Sequence, residues 1–401
     1  MIITIVNVKQ MYKPISLVLA VLLYGSLAAQ DFKFDNMKYQ TISWETFFRR
    51  LENNPKLIYI DIRTQGERSD TSQYPSYNQG KIKGALETDF FTFDKYYSEY
   101  KKHKNDTIYL YCSHSRRSRL LASRLADSSF RHVVNINGGI SYLNTISEQQ
   151  LPLKAKYYTS NLKYELVPPK AFIEAVQSKR FQIVDVRPDS IYNGTSGDKW
   201  QNSFGVVENA RHIPYDMVKT NLDILDPGRP VILFDNDGEL APIAANYLVE
   251  KGYKVSVLLF GLDNLLSDIT SGDLPFLKTK YKLILPDELL KIANDNDVII
   301  IDVRTRTEFT STDTIAWKNV GRLKNAVNIP LAEASEEKLS PYKNKRIVLY
   351  DIMMHEELFA FAELLNKWGV SNYQLLFGGI TQIKWEVYNL EKTKLKDLIN
   401  D

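Results

Sequence analysis

The chain of 401 residues holds one cysteine, and the residues beside it are of the types that make a thiol reactive. Cys112 opens the run Cys112-Ser113-His114-Ser115-Arg116-Arg117-Ser118. Arg116, Arg117, the loop N–H groups and the positive end of a following helix would all favour the thiolate, the nucleophilic form of the side chain. The same groups would hold an anionic substrate. Thr107 to Tyr111, just before the cysteine, is a short β-branched and aromatic run, and Ser118 to Leu125 is patterned as a helix. Cys112 is therefore expected at the carboxyl end of a strand, where open α/β sheets bind ligands. His114 could act as a general acid or base there, or equally face solvent. The plainer reading of Cys112 is an inert, buried packing residue, as free cysteines often are.

The elements that must position this loop occur three times. A short apolar strand ending in Asp-x-Arg appears as Asp61-Ile62-Arg63, Asp185-Val186-Arg187 and Asp302-Val303-Arg304, with the aspartates 124 and 117 residues apart. A tyrosine and a helix start precede each, at Tyr39, Tyr164 and Tyr281, separated from the aspartate by 22, 21 and 21 residues. Gly84-Ala85, Asn209-Ala210 and Asn325-Ala326 then lead into further strands. Next come buried strands closed by Cys112, Asp235 and Asp351, which lie 51, 50 and 49 residues beyond the first aspartate of their units. A last strand runs into glycine at Gly138-Gly139, Gly261 and Gly378-Gly379, where a side chain would block the backbone path. Short buried strands alternating with helices predict a mainly parallel α/β sheet in each unit. The expected division is 39–150, 164–275 and 281–395. Asp-x-Arg recurs in the units without cysteine, so a structural ion pair or strand-end cap is the expectation for it.

The loop Leu110 to Ser118 resembles the active-site loop of bacterial rhodaneses, Cys-x-x-Gly-x-Arg-Ser, with Arg117-Ser118 matching its final pair. Ser115 stands where glycine is usual. Asp61-x-Arg63 with Glu67, Gly84-Ala85 and Gly138-Gly139 extend the resemblance, and weaker versions carry it over nearly all the chain after residue 39. The resemblance implies three tandem rhodanese-like domains and sulfur transfer in the first. Cys112 would take the sulfane sulfur of a small donor such as thiosulfate as a persulfide, then pass it to a thiol or cyanide. Ser113, His114, Ser115, Arg116, Arg117 and Ser118 would bind the donor, and no cofactor is implied. Asp235 and Asp351 cannot form a persulfide, and acids in their loops would repel thiosulfate. Units two and three would then serve as scaffold, lid or a surface for a protein partner.

Two other functions compete with this one. A phosphatase loop has cysteine, five residues and arginine, whereas here arginine falls one place early, at Arg117, and Ser118 follows. A non-catalytic binding or scaffold protein in which Cys112 merely persists is the second alternative.

Composition excludes other classes. Lys and Arg number 51 against 48 Asp and Glu, with no long basic run, so nucleic acid is not an expected partner. The five histidines lack ligand spacing; carboxylates at Asp235, Asp237 and Glu239 would suit a hard cation, but no metal is expected. Pro14 to Leu27 is almost wholly apolar, follows Lys9 and Lys13, and ends in small residues before Gln30. This is the shape of a signal peptide over 1–29, predicting a periplasmic or secreted protein; an uncleaved membrane anchor is the alternative. With a single cysteine, no internal disulfide can staple the fold.

Overall fold

The structure, a computed structural model, describes residues 38–268, 277–279 and 281–400. The leader expected at 1–29 and the end of the second unit, 269–275, lie outside the described residues. Among the described residues no helix is long and apolar enough to cross a membrane.

Unit one contains β1 (Gln40–Ile42), β2 (Ile58–Asp61), β3 (Leu86–Glu87), β4 (Thr107–Tyr111) and β5 (His132–Ile136). They form one parallel sheet in the order β1-β5-β4-β2-β3. Its main helices are α1 (Trp44–Asn53), α2 (Arg116–Asp127) and α3 (Gly139–Thr145). Ser43 caps α1 by accepting from the Thr46 N–H, and α1 buries Trp44, Phe47, Phe48 and Leu51 on the sheet. Each such side chain removed from water contributes roughly 2–3 kcal/mol. α2 covers the opposite face with Leu121, Ala122 and Leu125. The buried strands β4 and β5 thus have an apolar layer on each side.

The same topology repeats. Unit two has β6 (Glu165–Val167), α4 (Pro169–Ser178), β7 (Gln182–Asp185), β8 (Arg211–His212), β9 (Val231–Phe234), α5 (Ala241–Glu250), β10 (Val255–Leu258) and α6 (Gly261–Asp268). Its sheet order is β6-β10-β9-β7-β8. Unit three has β11 (Leu283–Ile284), α7 (Pro286–Ile292), β12 (Val298–Asp302), β13 (Val327–Asn328), β14 (Arg346–Tyr350), α8 (Glu356–Lys367), β15 (Tyr373–Leu376) and α9 (Gly379–Glu386), with sheet order β11-β15-β14-β12-β13. In all three, the first strand is an edge beside the fifth, and the fourth lies at the centre.

Two further features recur. Each Asp-x-Arg is a buried ion pair, with Nη2 to Oδ2 distances of 2.7, 2.6 and 2.6 Å at Arg63–Asp61, Arg187–Asp185 and Arg304–Asp302. The same Nη2 atoms donate to the carbonyls of Gly80, Gly205 and Gly321, bracing the strand end against the segment that leads to the next strand. Each unit also ends in a short strand that turns back on its own body: Tyr158–Thr159 on Lys81–Ile82, Leu277–Lys278 on Val206–Val207, and Ile399–Asn400 on Arg322–Leu323, all antiparallel.

Candidate active site

Cys112 lies just past the end of β4, 1 % exposed, and the loop after it turns sharply into α2. The turn needs a left-handed residue three places after the cysteine, and Ser115 supplies it with φ +63°. Gly238 (φ +79°) and Met354 (φ +64°) hold the equivalent positions after Asp235 and Asp351, so one loop path serves all three units. This conformation disfavours side chains, which explains why glycine is the usual residue there. Ser115 is held in it by its Oγ, which donates to the Ile136 carbonyl at 2.7 Å.

The glycine of the final turn docks against this loop. The Ile140 and Ser141 N–H groups donate to the carbonyls of Cys112 and Ser113 at 2.9 and 3.0 Å, and a Cβ on Gly139 would sit 2.4 Å from both oxygens. Gly261 and Gly379 make the same close approach to the loops of Asp235 and Asp351.

What occupies the loop differs. The Asp235 carboxylate accepts from the N–H groups of Gly238, Leu240 and Ala241 at 2.5, 2.5 and 2.8 Å. Asp351 accepts from Met353, Met354 and His355 at 3.1, 2.6 and 2.6 Å. The loop is thus an anion cradle of backbone N–H groups, filled in units two and three by a side chain of the chain itself. Burial pushes the Asp235 carboxyl up against these hydrogen bonds, and pushes Asp351 up to about 6 despite the nearby His355. The sequence predicts repulsion of an anionic donor by these acids. The structure adds a more direct obstacle, because the aspartate takes the amides for itself.

The predicted donor-binding residues have divergent partners. Arg117 forms a two-bonded pair with Glu67 at 2.8 and 2.5 Å and donates to Ser113 Oγ at 3.0 Å. Glu67 also completes a capping box with Thr64 at the helical turn Gln65–Ser69. Burial works against Glu67's charge, but Arg117 outweighs it and holds the carboxyl below its usual value. Arg117 is held above its own ordinary value by Glu67 and by Cys112, against burial. Ser118 is buried, and its Oγ lies 3.5 Å from Cys112 Sγ.

Arg116 and His114 meet the other units. The Arg116 guanidinium stands 5.4 Å from the Trp385 ring centroid, and Arg119 stacks 3.4 Å from that of Tyr388. The exposed His114 ring lies 4.6 Å from Phe260 and 6.0 Å from Tyr77. Crowding by the surrounding protein, then the charge of Arg117, lower its pKa to about 4, against the pull of Glu67. Phe260 itself has φ +55°, where its counterparts are Gly138 and Gly378. Ser76 donates to Glu239 at 2.5 Å, and the Asn137 amide bonds Asn389 and Leu390, tying unit one to both of the others. Tyr77, Trp385 and Tyr388 lie outside the repeated markers and have no signal in the sequence, whereas Phe260 stands in the Phe260-Gly261 marker, which gives no sign of its contact with His114. Among the described residues, no group of three or more His, Cys, Asp or Glu side chains is arranged to hold a metal ion.

The Rhodanese-like domain family profile matches three stretches, 45–144, 168–268 and 285–386. The chain belongs to the rhodanese-like family, as a tandem of three α/β domains. It is similar to a solved thiosulfate sulfurtransferase from Pseudomonas aeruginosa at 15 % identity and TM-score 0.22, covering 86 % of this chain and 65 % of that one, less than two thirds of its length. A variant of EanB in complex with hercynine is 14 % identical with TM-score 0.28, over 86 % of this chain and 96 % of that one. A rhodanese-related protein from Thermoplasma volcanium is 17 % identical with TM-score 0.21, over 26 % of this chain and 91 % of that one. No curated protein matches the chain.

Proposed function

We propose that unit one is a sulfurtransferase working through a persulfide on Cys112, and that units two and three are non-catalytic. The carrying observation is the repeated amide cradle. Two copies hold a carboxylate, and the third places Cys112 at the same point of the same loop. In the reaction, the Cys112 thiolate attacks the sulfane sulfur of thiosulfate. A new S–S bond forms, the donor's S–S bond breaks, and sulfite leaves with its electron pair. A thiol or cyanide then attacks the outer sulfur and returns the thiolate. Loop N–H groups would hold the charge on donor and persulfide. Arg117 sets the loop through Ser113, and Arg116 and His114 line the approach. The apolar segment before Gln30 would direct export to the periplasm or beyond.

Exposure to thiosulfate followed by mass spectrometry tests this directly. The Cys112 peptide should gain about 32 daltons, and cyanide should then release thiocyanate. Cys112→Ser should do neither; thiocyanate production surviving that change would sink the assignment. The burial of Cys112, 1 % exposed, favours a second reading, a rhodanese-fold scaffold or binding protein. Lack of any mass gain in the wild type with thiosulfate, a persulfide and a thiosulfonate as donors would favour that reading.

A further inference from the structure

Asn135 lies on β5, 0 % exposed, in the one unit that has a cysteine. Counting back from Gly139, Gly261 and Gly379 puts Val257 and Leu375 at its position in the other units, and both are buried and apolar. Ser118 is likewise confined to unit one, with Ala241 and Glu357 six residues after Asp235 and Asp351. An amide buried in a central strand costs stability unless its hydrogen bonds are met. Here they are met by the cysteine loop. Ser118 Oγ donates to Asn135 Oδ1 at 2.6 Å and faces Cys112 Sγ at 3.5 Å. Asn135 Nδ2 donates to Ser115 Oγ at 3.5 Å, and Ser115 Oγ donates on to the Ile136 carbonyl.

A chain of two hydroxyls and one primary amide can run in either direction, because each member both donates and accepts. In the direction drawn, the Ser118 proton points to Asn135, leaving a serine lone pair for a Cys112 S–H. Turning the Asn135 amide by half a revolution reverses the order. Nδ2 then donates to Ser118, Ser118 donates to a sulfur anion, and Ser115 donates to Oδ1. No buried group of the relay is stranded except one lone pair of the Ile136 carbonyl. We propose that Asn135 is a positioning residue whose reversible amide lets the Ser115–Asn135–Ser118 relay follow Cys112 between its thiol and thiolate forms. This rests on the sulfur-transfer reading for its purpose, though the relay itself can be tested without turnover. The other charged groups around Cys112 are Arg117, held by Glu67, and Arg119, which faces Tyr39 and Tyr388.

The test compares Asn135→Asp and Asn135→Val in the full chain. Aspartate keeps the shape of asparagine but, ionised, only accepts, which locks the relay in its thiol direction. Valine is what unit two carries. The readout is the pH dependence of Cys112 alkylation by iodoacetamide, with circular dichroism as a control for folding. Both variants should need higher pH for alkylation, with a rate at pH 7 lower by about tenfold, the scale of one lost buried hydrogen bond. Ser118→Thr should retain the wild-type profile, and Ser118→Ala should not. Asn135→Asp folded and alkylated with the wild-type pH profile would overturn the proposal. Shifted profiles in the variants, beside a wild type that transfers no sulfur, would leave the relay standing and remove only the sulfurtransferase reading.

Discussion

Glu67 and Arg117 join the helical turn Gln65–Ser69 to the start of α2, 50 residues further on, and the geometry beside Cys112 depends on both partners. Glu67 is 6 % and Arg117 17 % exposed at the side chain, so removing one charge strands the other. Glu67→Gln should destabilise the fold by about 3 kcal/mol at pH 7, read by urea denaturation. The sign with pH follows from the lowered carboxyl. Its contribution is present above the unfolded value, about 4.3, and is lost as pH falls through the folded one, so the deficit should shrink towards zero at acidic pH. An equal deficit at pH 7 and at acidic pH would contradict this role. Glu67 was legible only as part of the family resemblance. Nothing in the spacing of two charges tells which loops will meet. Asn135 was open to view by another route, since laying the three repeats in register shows an amide where the others are apolar. The markers that define the repeat are the residues the units share, and Asn135 is visible only as a difference between them.

At the scale of elements, the sequence disclosed most of the fold. The strands closed by Cys112, Asp235 and Asp351 and the glycines after the last strands occupy the places that their spacing assigns, because short β-branched runs and fixed separations are properties of local chain. Backbone dihedrals were less visible. Ser115, Met354 and Phe260 take left-handed conformations that their types disfavour, and tertiary contacts hold them there. Lys179 is different. It caps the end of α4 with φ +56° and is exposed. Lys179→Gly should therefore stabilise the protein by about 0.5–1 kcal/mol, measured as a higher urea midpoint with unchanged slope. A lower midpoint would show that the lysine side chain contributes more than its backbone costs.

At the scale of the molecule, the sequence was nearly silent, because contacts between units depend on how three similar bodies pack. Units two and three share one apolar core in which Phe172, Phe204 and Phe234 join Tyr281, Phe361 and Phe377. The cores of unit one contain residues of unit one alone. Its junctions to the others are polar bonds and a few rings, such as Ser76–Glu239, Tyr142–Glu391 and His114–Phe260. Scanning calorimetry should accordingly resolve two transitions, one for unit one and one for the joined pair. A single transition with equal calorimetric and van't Hoff enthalpies would contradict that division.

The antiparallel strand that closes each unit has a consequence for synthesis. Lys81–Ile82 cannot pair until Tyr158–Thr159 has left the ribosome, and the same wait applies to the later units. Unit one therefore stays unlatched until its own tail emerges, and its cores are then complete without any residue from the next, whereas unit two still waits for unit three to close their shared core. The cysteine loop should thus be finished first, and the joined pair after it.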